Sequence, residues 1–114
     1  TAAPEVPVGK YAQQILDKAL VAVTPRSLEA NVKGIVSKVI LGEADAGIVY
    51  ITDVLAAGAK ATGVDIPSEL NVVAKYPIGV LGQTGNPSGA AAFVAFVLSA
   101  EGQRILADLG FGPP

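Results

Sequence analysis

Among the 114 residues there is no His and no Cys. Thiol nucleophiles, disulfides, histidine-based serine triads and the usual zinc sites are therefore excluded. What remains is carboxylates, hydroxyls and backbone N–H groups. Glu43 and Asp45 form a close carboxylate pair, yet no nucleophile or metal partner accompanies them. Asp45 and Asp53 flank an apolar run and suit capping or turning. A different chemistry is anion capture by neutral donors. Asn31 precedes an apolar stripe of Val32, Ile35, Val36, Val39 and Ile40, where an Asn side chain caps a helix. Val32 then carries one of the unpaired N–H groups of a helix N-terminus, which can face either an anion or water. Tyr50 lies near the end of the apolar run Ala46–Ile51. Its ring can be buried while its hydroxyl serves a ligand or makes a structural hydrogen bond. Thr52 is either a helix cap or a partner of Tyr50. Lys10, Lys33 and Lys38 read as solvated helix positions.

The elements that must position these groups alternate along the chain. After a Pro-punctuated start, Tyr11, Ala12, Ile15, Leu16, Ala19 and Leu20 recur at helical spacing, predicting a helix from about Gly9 or Lys10. Thr24-Pro25-Arg26-Ser27 breaks it. The Asn31-capped helix follows, with Gly42 at its C-terminal end. Ala46–Ile51 has the length and continuity of a strand covered on both faces. Thr52-Asp53 offers a cap for a short helix over Val54–Ala57, and residues 58–67 read as loop. Leu70–Ala74 and Pro77–Leu81 are further strand candidates, the second opening on Pro as an edge strand does. Asn86-Pro87 is a strong helix start. Ser99 caps a continuation that Gly110 closes. Helices alternating with strands predict an α/β fold. A helix comes almost at once, so the chain reads as beginning just after a strand.

Apolar residues make up 51% of the chain, enough for a core in one modest domain. The formal charge is −2 and no basic run is present. Nucleic-acid binding is disfavoured, because phosphate neutralisation needs clustered Lys and Arg. Three Tyr, three Phe and no Trp are also too few for a base-stacking surface. A small buried anion is not excluded, since backbone N–H groups can hold it without net positive charge. The apolar run Ala90–Leu98 falls short of the ~20 residues of a membrane span. No leader-type segment is read, as expected of a mature exported protein or a piece of a longer one.

Three segments carry a family resemblance. Val6-Pro7-Val8-Gly9-Lys10-Tyr11-Ala12 resembles the V-P-A-G-x-Y-A segment of periplasmic molybdate-binding proteins of ABC importers. Gly42-Glu43-Ala44-Asp45-Ala46-Gly47-Ile48-Val49-Tyr50, followed by Thr52-Asp53, resembles their G-E-A-D-A-G-I-V-Y-x-[ST]-D segment. Phe96–Gln103 and Gly110-Phe111-Gly112-Pro113-Pro114 are similar to their C-terminal helix and closure. Order and spacing agree over essentially the whole chain.

The resemblance implies two α/β lobes of the type II periplasmic-binding-protein fold, with the anion between them. Residues 1–75 would form most of the second, ligand-binding lobe without its first strand. Residues 76–114 would be the C-terminal strand and helices returning to the first lobe. It also implies ligand roles for the backbone N–H of Val8, where the family usually has Ala, for the N–H of Val32, and for the Tyr50 hydroxyl. The remaining ligands would be hydroxyl-bearing residues of the first lobe, so this chain would carry one wall of the site. The implied ligand is molybdate or tungstate, with no cofactor, no direct metal ligand and no catalysis. The implied partner is an ABC permease. The implied location is periplasmic or extracytoplasmic, either free or membrane-anchored as a lipoprotein. Two alternatives stay open: an oxyanion-sensing regulatory domain of the same fold, and a binding-incompetent piece that completes its sheet as a homo-oligomer.

Overall fold

A computed structural model describes residues 1–114. They divide into two compact units, Thr1–Ala74 and Lys75–Pro114. The first unit contains α1 (Pro7–Lys18), α2 (Val32–Ile40), α3 (Ile51–Ala57) and one 3₁₀ turn, Gly58–Lys60. The second contains α4 (Pro87–Leu98) and α5 (Ala100–Asp108).

Helix α1 starts two residues earlier than the apolar spacing suggests. Pro7 occupies the beginning of the helix, where its fixed φ is already helical and its missing N–H costs nothing. The helix also stops earlier, at Lys18. The N–H of Leu20 donates to Asp17 O at 3.1 Å and that of Val21 to Leu16 O at 3.0 Å. This is a Schellman closure. It requires a left-handed residue, and Leu20 supplies it at φ 54° while 93% exposed. Helices α2 and α5 close in the same way with glycine, Gly42 at φ 72° and Gly110 at φ 90°. Their starts follow the sequence signals. Asn31 accepts from the Gly34 N–H and Asn86 from the Gly89 N–H, each at 3.0 Å, and Ser99 accepts from the Gly102 N–H at 3.2 Å.

The expected strands are absent. Residues 46–50, 70–74 and 77–81 carry no ladder, and Ile51 is already the first residue of α3. A strand exists only with a neighbour whose N–H and C=O groups meet its own, and none lies alongside these segments. The first of them nonetheless rests on a helix, with Ile48, Val49 and Tyr50 half-buried. A Cβ on Gly47 would strike Ile35 Cγ2 and stand 3.6 Å from Val39 Cγ2, so this segment lies against the apolar stripe of α2.

The one β-type pairing occurs where the sequence gives no strand signal. Ala2 and Glu29 form a parallel bridge. The Glu29 N–H donates to Thr1 O and the Ala3 N–H to Glu29 O, both at 2.9 Å. Helix α1 is thus the crossover between two parallel segments, as in a βαβ unit.

The buried apolar residues are Ala2, Val8, Ala12, Ile15 and Ile35, all in the first unit. The second unit buries only Gly102, in the corner where α5 leaves α4 at 61°. Two separate compact bodies of these lengths would expose about 6,900 Å² together, whereas this chain exposes 8339 Å². Phe93, Phe96, Leu98, Ile105 and Leu109 account for part of that excess. No single helix is long and apolar enough to cross a membrane.

Leu20→Gly removes a left-handed side-chain clash worth about 1–2 kcal/mol, partly offset by the greater freedom of glycine in the unfolded chain. The expected net gain is about 0.5–1 kcal/mol, read from the denaturant midpoint at constant slope.

Candidate functional site

All three helices of the first unit begin around one apolar cluster. Its buried members are Ala2, Val8 and Ile35, and Val6, Val32, Val49 and Tyr50 pack against it. Val6 precedes α1 and Val8 is its second residue. Val32 opens α2. Tyr50 is the residue on which α3 starts. The three residues picked out in the sequence, Val8, Val32 and Tyr50, are thereby brought together from positions 42 residues apart in the chain.

The electrostatics of these helix starts differ. No side chain caps α1, and its first turn contains no acidic residue. Pro7 lacks an N–H, so the unpaired donors of that turn begin at Val8. Helix α2 also has no acidic residue in its first turn, and the Asn31 side chain takes the Gly34 N–H rather than that of Val32. At α3 the Asp53 carboxylate accepts from the Tyr50 N–H at 3.1 Å and places a negative charge in the first turn. Asp53 therefore caps, as its position suggests, but by reaching back to the residue before the helix. Thr52 lies inside α3 and does not start it.

Val8 is 3% exposed. Its branched side chain fills the core beneath the helix start. Tyr50 is half-buried, and its ring meets Tyr11 of α1 edge-on at 6.4 Å between centroids and 69° between planes. The contact fixes the ring of Tyr50 relative to α1. No group of three or more acidic side chains is placed to hold a metal ion.

Three contributors escaped the sequence reading. Gly9 allows the closest approach in the unit, since a Cβ there would strike Ala3 O and lie 2.9 Å from Ala2 O. Tyr11 was legible only as part of a helical stripe. Lys38, expected to be solvated, instead reaches Glu29 Oε1 at 2.9 Å and Ser27 Oγ at 2.8 Å. The Ser27 hydroxyl also donates to Glu29. Lys10 and Lys33 are exposed, as expected. The hydrogen bond from Ser27, then that from Lys38, hold the Glu29 carboxyl below its ordinary value of 4.5. A carboxyl depressed on folding contributes stability above its unfolded pKa and loses it as pH falls through the lower folded value.

Residues 1–112 match the family model described as bacterial extracellular solute-binding protein. The chain belongs to the bacterial extracellular solute-binding proteins. Members of this family are defined by binding a solute rather than by catalysis. Among its relatives are the molybdate-binding proteins ModA of Mycobacterium bovis and of two Mycobacterium tuberculosis strains, each 42% identical over 111 residues. The match covers 97% of this solute-binding chain and 42% of each relative's length. No solved structure gives a significant match.

Two measurements test this geometry. Gly→Ala inside a helix ordinarily stabilises, by up to about 1 kcal/mol. Gly9→Ala should instead destabilise by about 1–3 kcal/mol, because the added methyl meets backbone carbonyls that cannot rotate away. Equilibrium unfolding gives the sign directly. Glu29→Gln should flatten the acid loss of stability below about pH 4.5 and leave the neutral-pH slope unchanged, as followed by thermal melts across pH.

Proposed function

We propose that this chain carries one wall of the binding site of a molybdate-capturing, or tungstate-capturing, protein that serves an ABC importer. The reading rests on one observation: Val8, Val32 and Tyr50 converge on a single cluster at the starts of three helices. Two of those starts offer backbone N–H groups with no acidic residue of their own in the first turn. Together with a phenol, they make a set of neutral donors suited to a tetrahedral dianion. The mycobacterial relatives, which are molybdate-binding by name, support the choice of anion.

In this reading residues 1–75 belong to the ligand-binding lobe of a type II two-lobed protein, and residues 76–114 return to the other lobe. Closure of the lobes around the anion signals loading to the permease in the membrane. The family description supports a periplasmic or extracytoplasmic setting, and a lipoprotein anchor is one way to hold the protein there. No cofactor takes part.

Val32→Pro isolates the proposed donor. Val32 is the first residue of α2, where proline is tolerated, and Asn31 before it already has the extended backbone that proline demands, at φ −159° and ψ 166°. Val32→Ala loses similar packing but keeps the N–H. Calorimetry of the natural polypeptide that carries these residues should show molybdate bound in preference to sulfate. Val32→Pro should weaken that binding roughly 10- to 100-fold relative to Val32→Ala, the worth of one hydrogen bond to a charged group. Tyr50→Phe should lose a similar factor. Equal affinities for the two Val32 variants would remove Val32 from the site. Failure of the unaltered protein to bind molybdate would overturn the reading.

A further inference from the structure

We infer that the Glu29–Lys38 pair sets the charge felt by an anion at the start of α2, with Lys38 cancelling a carboxylate that would otherwise repel a dianion from the Val32 N–H. The inference rests on the oxyanion reading above and adds two residues that touch no ligand to its specificity.

Glu29 is built against the first turn of α2. Its Oε2 lies 2.8 Å, its Cβ 3.3 Å and its Cδ 3.4 Å from the place a Cβ on Gly34 would occupy. Gly34 is the third residue of the helix and Val32 the first, so the carboxylate sits within one helical turn of the proposed donor. Only glycine leaves room for it there. An uncompensated carboxylate at that point would satisfy the positive end of the helix and compete with a bound anion. Lys38, one turn further along, holds the same carboxylate at 2.9 Å, and the side chains of Lys38 and Glu29 are 35% and 20% exposed. Ser27 locks both partners through its hydroxyl.

The pair therefore presents no net charge to the helix start, and each half can be removed alone. Two charges on the anion double the effect of either removal. Titration of the natural polypeptide with molybdate, by calorimetry at low and moderate salt, reads the result. Lys38→Met should weaken binding roughly five- to ten-fold. Glu29→Gln should tighten it by a few-fold. The double variant should return close to the unaltered affinity, and Lys38→Arg should change little. Salt should shrink both single effects. A role in merely holding α2 in place predicts loss in both single variants and no rescue in the double variant. That pattern, with normal binding by the unaltered protein, would overturn the inference alone. Absence of molybdate binding by the unaltered protein would overturn the oxyanion reading and this inference with it.

Discussion

A pair of backbone hydrogen bonds sets the geometry of the first unit. When the Glu29 N–H finds Thr1 O and the Ala3 N–H finds Glu29 O, residues 27 apart in sequence are held side by side in parallel. Helix α1 starts five residues after Ala2 and α2 starts three residues after Glu29. Because the two segments run in the same direction, the two helices must begin at the same end of the pairing. Their unpaired N–H groups share that end too. The convergence of Val8 and Val32 is thus a consequence of one bridge and two short connections. Tyr50 joins them by another route: Gly47 lets residues 46–50 press onto α2 without a side chain in between, and the chain emerges beside the same cluster.

The second constraint is the need of extended chain for a neighbour. Residues 46–50, 70–74 and 77–81 have strand composition, and composition governs which faces are apolar. It cannot supply the adjacent N–H and C=O groups that make a ladder. The apolar material of the second unit faces the same shortage. Helix α4 is nearly all apolar and has no buried residue, while Ile78, Val80 and Leu81 border an open groove of about 250 Å³ with Phe93 and Val94. Tyr76 and Phe111 meet edge-on at 6.0 Å and hold the two ends of that unit together. Its local structure is complete, and its burial is not.

This contrast separates what the amino acids announce from what they do not. Helix ends are decided within four residues, so Asn31, Asn86, Ser99, Gly42 and Gly110 were legible from their types and places. Leu20 was misread for the same local reason. It continues the apolar spacing of α1, and nothing in its type signals a left-handed turn. Interactions across the chain left no such trace. A single bridge between Ala2 and Glu29 is too short for a periodic pattern, so the only strand pairing was invisible. Lys38 looked solvated because its partners, Ser27 and Glu29, lie on a segment whose position depends on that pairing. Val32 could be proposed from its capped helix, whereas Val8 entered only through a resemblance, since an N–H donor has no residue type.

Backbone donors, as proposed for Val8, would also place little demand on the side chain at that position. A site built from side chains constrains identity at each position. A site built from N–H groups constrains only where the backbone runs, and leaves the side chain to the core behind it. The extra bulk of Val8 is buried in the cluster with Ala2 and Ile35. The branched side chain then steadies the helix start, because core packing on one side fixes the peptide on the other. Gly9 makes the complementary demand, since the next residue must let two carbonyls approach. Bulk at one position and its absence at the next hold the same peptide from both sides, and that peptide carries the first unpaired N–H of α1.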